Sequence, residues 1–198
     1  SGEAYQLHFL GDRLRIASND YLINPDNQLS LRKRDNFLLG SLKLTGEKRG
    51  EFSLQGTEET PGVQDILLSI HNLHLEDYRS LGLPDVGGIF FGDVHYQRKG
   101  DLSQQPTISG DLSISDLRYE DKKLGHFTSS LFYEPRSGDS HYITGEIGYN
   151  GQPAMSIDGI YYPREKVSPL KGTLTLTSFP LELANPFLAE NSTTLAGT

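Results

Sequence analysis

From about residue 36 onward, apolar and polar residues alternate along the chain. The segments Ile143-Thr-Gly145-Glu-Ile147-Gly-Tyr149 and Leu170-Lys-Gly172-Thr-Leu174-Thr-Leu176 show this most cleanly. Successive side chains of a strand point to opposite faces, so a period of two predicts strands with one buried side. Turn-forming clusters separate the runs, among them Pro135-Arg-Ser-Gly138-Asp139, Asn150-Gly151-Gln-Pro153 and Pro163-Arg-Glu-Lys166. Asn-Gly in particular suits the left-handed positions of a tight hairpin turn. Strands are predicted near residues 5–9, 13–17, 37–45, 50–56, 65–75, 88–98, 106–120, 124–134, 141–150, 154–162 and 170–178. The fold class is all-β, with the strands arranged in an elongated, curled antiparallel or mixed sheet.

The strands share a finer pattern, apolar-x-Gly-x-apolar-x-apolar, with the named positions on one face. It occurs at Leu38/Gly40/Leu42/Leu44, Phe90/Gly92/Val94/Tyr96 and Ile108/Gly110/Leu112/Ile114. It recurs at Ile143/Gly145/Ile147/Tyr149 and Leu170/Gly172/Leu174/Leu176, with a shifted form at Met155/Ile157/Gly159/Tyr161. Glycine inside a strand costs stability and therefore needs a reason. One reason is a crease: repeated strand after strand, the glycines would bend the sheet along one line. The plainer reading is that they flank turns and strand starts.

A longer repeat lies over this pattern. Leu68-Ser-Ile70-His-Asn-Leu73-His-Leu75, Tyr78, Leu81 and Gly87-Gly88 form a first copy. Leu174-Thr-Leu176-Thr-Ser-Phe179-Pro-Leu181, Leu183, Phe187, Leu195 and Gly197 form a second. Each reads as strand, short helical bridge, strand, with helical turns expected near 78–82 and 180–185. The chain is thus expected to be one repetitive domain, residues 1–198, with weak sub-repeats at 37–105 and 106–198. It begins with Ser1-Gly2 and carries no signal peptide, so it reads as a piece of a longer protein.

Composition narrows the function classes. A formal net charge of −8 argues against nucleic acid as a partner, which needs a basic footprint. With no cysteine among 198 residues, disulfides, thiolate catalysis and Cys-ligated metals are excluded. No apolar run approaches the length of a membrane-spanning helix. Mean hydropathy is −0.45, lean for a closed globule.

Candidate chemistry is sparse. His71 and His74 form His-x-x-His, but residues three apart on a strand face opposite ways and no third ligand completes a site. The acidic pairs Glu58-Glu59 and Glu120-Asp121 fall in predicted turns, where charges are ordinarily solvated. There is no nucleophile elbow, phosphate loop or calcium-loop spacing. The expectation is a non-enzymatic protein without cofactor or metal. Phe90, Phe91, Tyr96, Phe127, Phe132, Tyr133, Tyr149, Tyr161 and Tyr162 offer a sugar-binding platform as an alternative to ordinary strand packing.

The run Gly172-Thr-Leu174-Thr-Leu176-Thr-Ser-Phe179-Pro-Leu181-Glu-Leu183-Ala-Asn185-Pro186-Phe187-Leu188, followed by Leu195-Ala-Gly197, resembles the TamB family of AsmA-like bacterial envelope proteins. Residues 106–198 carry most of the likeness. The resemblance implies a periplasmic segment of a parent anchored in the inner membrane, folded as a β-taco with an apolar lining. It also implies phospholipid transport towards the outer membrane, or assembly of outer-membrane proteins with a TamA-like barrel. The implied partners are phospholipid acyl chains or outer-membrane protein strands. Leu42, Leu44, Val94, Leu112, Ile114, Ile147, Tyr149, Ile157, Leu174 and Leu176 are the candidate groove-lining residues, chosen from the alternating apolar face. An open groove and a closed core both satisfy that alternation. The alternatives are a structural or adhesive cell-surface β-sandwich and a carbohydrate-binding β-domain.

Overall fold

A computed structural model of the chain describes residues 4–82, 85–100 and 104–178. The strands are β1 (Ala4–Leu7), β2 (Arg13–Ile16), β3 (Asn19–Ile23), β4 (Gln28–Arg32), β5 (Phe37–Gly46), β6 (Glu51–Thr57) and β7 (Val63–His74). A 3-10 helix, Leu75–Leu81, leads into β8 (Val86–Lys99), β9 (Thr107–Tyr119), β10 (Lys122–Arg136), β11 (Ser140–Tyr149), β12 (Gln152–Tyr161) and β13 (Leu170–Leu176). All lie in one open 13-stranded sheet that does not close into a barrel. Every pairing is antiparallel. From β5 to β13 each strand pairs with its sequence neighbours, as short turns between alternating segments require. The near end is less regular: β5 pairs with both β3 and β4 on one side, and β1 extends β4.

β3 and β4 are additions to the expected strands. In β3 the apolar run Tyr21-Leu22-Ile23 does not alternate, and β4 is five residues long beside the turn-rich Asn24-Pro25-Asp26-Asn27. Tertiary pairing to β5 supplies what their local pattern lacks. The first helical bridge begins at Leu75, earlier than the expected 78–82, and ends on Gly82 in a left-handed conformation. The bridge expected near 180–185, with the rest of the second repeat copy, lies outside the described residues.

The register assigns the faces. Directly paired residues of an antiparallel sheet share a side. One row runs Leu42, Leu54, Leu68, Val94, Gly110, Leu131, Gly145, Ile157, Leu174 from β5 to β13. The next runs Leu44, Phe52, Ile70, Gly92, Leu112, Ser129, Ile147, Met155, Leu176 on the same face. The opposite face carries Lys43, Ser53, Ser69, Asp93, Asp111, Ser130, Glu146, Ser156 and Thr175 in the corresponding row.

The glycines of the repeated strand pattern occupy the apolar face, but they do not form a single line. Gly40, Gly56, Gly159 and Gly172 share one row, Gly110 and Gly145 the next, and Gly92 a third. Register shifts cluster instead towards one end of the strands. They fall between Ile70 and Leu73, Gly87 and Ile89, Lys123 and Phe127, and at Ile147/Gly148. Asn72, Gly88, Asp116 and Gly125 hold the positive φ values of these irregular stretches. Bulges of this kind bend a strand locally and raise its twist, whatever the glycines contribute.

The glycines have a packing role. A Cβ on Gly40, which has φ +109°, would stand 1.9 Å from the carbonyl oxygen of Gln28, and one on Gly56 would stand 2.2 Å from that of Leu38. Backbone crosses both positions at a distance that only hydrogen permits. β6 ends at Thr57, so the peptide groups of Leu38 need another partner. The buried Gln64 side chain supplies one, accepting from the Leu38 N–H and donating to its carbonyl at 2.8 Å. Beside it, Phe37 is fully buried, with the Arg32 and Arg98 guanidiniums 5.0 and 5.5 Å from its ring centre.

Gly56→Ala should therefore destabilise the fold by about 1–3 kcal/mol, the usual range for overpacking. Urea denaturation followed by circular dichroism measures this, and an unchanged midpoint would show that β5 yields freely.

Candidate functional site: the apolar face of the sheet

All ten candidate lining residues lie on the apolar face. Leu42 and Leu44 come from β5, Val94 from β8, Leu112 and Ile114 from β9, and Ile147 and Tyr149 from β11. Ile157 comes from β12, and Leu174 and Leu176 from β13. Register joins them to partners outside that set: Phe52 and Leu54 on β6, Ile66, Leu68 and Ile70 on β7, and Phe127, Leu131 and Tyr133 on β10. In β7 the consecutive Ile66-Leu67-Leu68 conceals the period, and in β10 the pair Ser129-Ser130 interrupts it. Only strand pairing identifies the face there, although Phe52/Leu54/Gly56 alternate plainly enough to be read directly.

Cover is uneven along this face. At the near end Leu44 is 8% exposed, in a core with Tyr21 (0%) and Ile23 (7%). Phe9, Leu14, Ile16, Leu42 and Phe52 pack against that core. Further along, Leu112 is 39% exposed and Leu131 47%, and at β13 Leu174 reaches 60% and Leu176 53%. Val94, Ile114, Ile147, Tyr149 and Ile157 are half-buried. Leu112 leans over Gly92, and Leu131 and Ile157 flank Gly145, so neighbours partly fill the glycine positions. The described strands belong to one hydrogen-bonded sheet, and none of them forms a second sheet over these side chains.

Polar contacts hold the covered end. Arg49 makes a two-pronged ion pair with Asp77 on the 3-10 helix, at 2.9 and 2.6 Å. It also donates to His74 Nδ1 at 2.8 Å. The Tyr78 hydroxyl, carried by the same helix, hydrogen-bonds the Tyr21 hydroxyl in the core. Burial, followed by that hydrogen bond, raises the Tyr78 phenol above its ordinary pKa, so it stays neutral. Asn27 pins Phe9 through both its backbone groups, accepting from the N–H at 2.7 Å and donating to the carbonyl at 3.3 Å.

The other candidate groups disperse. His71 reaches Asp93 at 3.2 Å on the polar side, whereas His74 sits with Arg49 and Glu76. Among the described residues no three His, Asp or Glu side chains are placed to hold a metal ion. Glu58 is not simply a solvated turn charge: it pairs with Arg32 at 2.6 Å and accepts from the Gly62 N–H. Its pKa is lowered, first by that arginine. The aromatic residues divide between faces. Phe91 and Phe132 lie on the polar side and Phe90, Tyr96, Phe127, Tyr133, Tyr149 and Tyr161 on the apolar side, so they form no single platform. A shallow depression of about 580 Å³ lies largely on the polar face, bordered by Phe91, Asp93, Asp111, Ser130 and Glu146.

Comparison of the chain with family models, with curated proteins and with solved structures gives no match. The chemical content of the face is therefore read from its own geometry, which among the described residues is a broad, mostly apolar surface.

The Arg49 guanidinium holds the Asp77 carboxyl below the usual aspartate range. A depressed folded-state pKa adds stability above the unfolded value of about 3.9, and that stability is lost as pH falls through the folded value. Asp77→Asn should lower stability at neutral pH and flatten its decline on acidification. Urea midpoints measured between neutral and strongly acidic pH test this; parallel curves for the two proteins would remove the role of the pair.

Proposed function

We propose that the chain is a periplasmic segment of a TamB-like envelope protein, and that it presents its apolar face as a groove for phospholipid acyl chains on their way to the outer membrane. The observation that carries this reading is the continuous apolar face from β5 to β13, left partly uncovered at Leu112, Leu131, Leu174 and Leu176. An apolar surface of this extent calls for an apolar partner. Each acyl methylene removed from water on it gains about 0.8 kcal/mol. Movement along such a surface needs no nucleophile, metal or bound nucleotide. The same face is suited to shielding the apolar side of an outer-membrane strand during assembly, with a TamA-like barrel engaged through the parent protein.

The single open sheet disfavours a two-layer adhesive sandwich, in which these side chains would be packed against a second sheet. The division of aromatics between faces disfavours a sugar platform.

A charge placed in the middle of the face should abolish lipid capture, because an acyl chain does not supply a partner for it. Leu112→Asp and Ile147→Asp are the variants. Organic extracts of wild-type protein purified from cells should contain phospholipid by mass spectrometry, and extracts of folded variants should not. Wild-type protein that carries none, even after incubation with phospholipid vesicles, would overturn the function.

A further inference from the structure

We propose that two copies of the chain pair antiparallel through β13, edge to edge, about a twofold axis at Thr173. β13 ends the sheet and, among the described strands, pairs only with β12. All of its residues, Leu170–Leu176, are exposed. The ladder to β12 fixes which backbone groups face outward. Pro169 and Thr177, just beyond the two ends of β13, both bond inward, the first accepting from the Tyr162 N–H and the second donating to the Ala154 carbonyl. Peptide direction alternates along a strand, so Lys171, Thr173 and Thr175 also bond inward. The N–H and C=O groups of Leu170, Gly172, Leu174 and Leu176 therefore point away from β12, and such a row is a template for another strand. Devices that blunt an edge are few here. The β12–β13 register has no bulge, and β13 contains no proline. Its one charged residue, Lys171, is turned back onto its own chain, 3.2 Å from Glu165 and 4.6 Å from the Tyr162 ring centre.

The pattern of β13 matches itself when reversed. With Thr173 opposite Thr173 of the second copy, Leu170 meets Leu176 and Gly172 meets Leu174, so every outward-facing residue gains a hydrogen-bonding partner in β13 of the other copy. A slip of two residues would leave one of them without a partner in that strand. Glycine opposite leucine is already the habit of this sheet, at Gly92/Leu112, Gly110/Leu131 and Gly145/Leu131. On the other face Lys171 meets Thr175, so like charges do not oppose each other. An axis perpendicular to the sheet makes the contact self-complementary and keeps both apolar faces on one side, continuing the rows of leucines from copy to copy. With 7 residues a side, the contact falls well short of the roughly 20–30 of a standard interface, so the dimer exchanges with monomer. The pairing is independent of what the apolar face binds.

Sedimentation velocity of the full chain over a dilution series should show a reversible monomer–dimer equilibrium. Leu174→Pro removes an outward N–H and leaves the ladder to β12 intact, so it should keep the protein monomeric at every concentration with its circular dichroism unchanged. Thr173→Cys places a lone cysteine on the axis, because the chain has none of its own. Paired Cα atoms there stand about 4.5 Å apart, a separation that a disulfide spans, and mild oxidation should yield a covalent dimer. Thr175→Cys should not, since its two copies would lie about 14 Å apart along the strands. Wild-type protein that stays monomeric throughout the series would overturn the pairing. So would a covalent dimer from Thr175→Cys in preference to Thr173→Cys, or a dimer that persists in Leu174→Pro. Should Leu174→Pro fail to fold, the two cysteine variants decide the outcome.

Discussion

A sheet that alternates apolar and polar residues must find cover for one face, and most of this molecule's design follows from how incompletely that cover is provided. Nine strands in sequence order, β5 to β13, contribute to a single apolar surface. The hydrophobic effect rewards removing that surface from water but does not specify what covers it. At one end the chain supplies its own cover with Phe9, Leu14, Ile16, Tyr21 and Ile23. Towards β13 the described residues supply none, and the leucines there remain half in water.

The polar contacts have locations that follow from this division. The network of Arg49, Asp77, His74, Tyr78 and Tyr21 lies where the apolar face is closed, and it positions the helix that closes it. Arg32, Asp35, Glu58 and Arg98 gather around Phe37 at the opposite ends of neighbouring strands. Arg98 is buried and Arg32 half-buried; such cations are costly unless bonded, and the two are held by carbonyl and carboxylate oxygens respectively and by the ring face. On the far strands the apolar face carries its own cluster, in which buried His141 hydrogen-bonds the Tyr133 hydroxyl and packs against the rings of Tyr133 and Tyr161. Around Leu112 and Leu131 the described residues are held by backbone ladders and cross-strand side-chain contacts.

The ladders carry irregularities of their own. Asn72, Gly88, Asp116 and Gly125 take positive φ values beside the register shifts, where Asn, Asp and Gly are the residues that tolerate them. The glycines of the repeated strand pattern serve a different purpose. They admit close backbone crossings at Gly40 and Gly56, and they give Leu112 and Leu131 room to lean sideways at Gly92 and Gly145. Two sets of glycines that look alike in the chain thus divide between register shifts and packing.

Period-two alternation by itself determined that the chain is all-β, where most strands lie and which residues of each strand share a side. It therefore placed Val94, Leu112, Ile114, Ile147, Tyr149, Ile157, Leu174 and Leu176 on one surface. That information is local, because the direction of a side chain from a strand depends only on its parity. Tertiary structure alone decided that β3 and β4 form, that Leu44 is enclosed while Leu174 is exposed, and that Leu68 and Leu131 belong to the same face. Those outcomes depend on which strand pairs with which and on what folds back over the sheet, and contacts between distant segments leave no period in the chain.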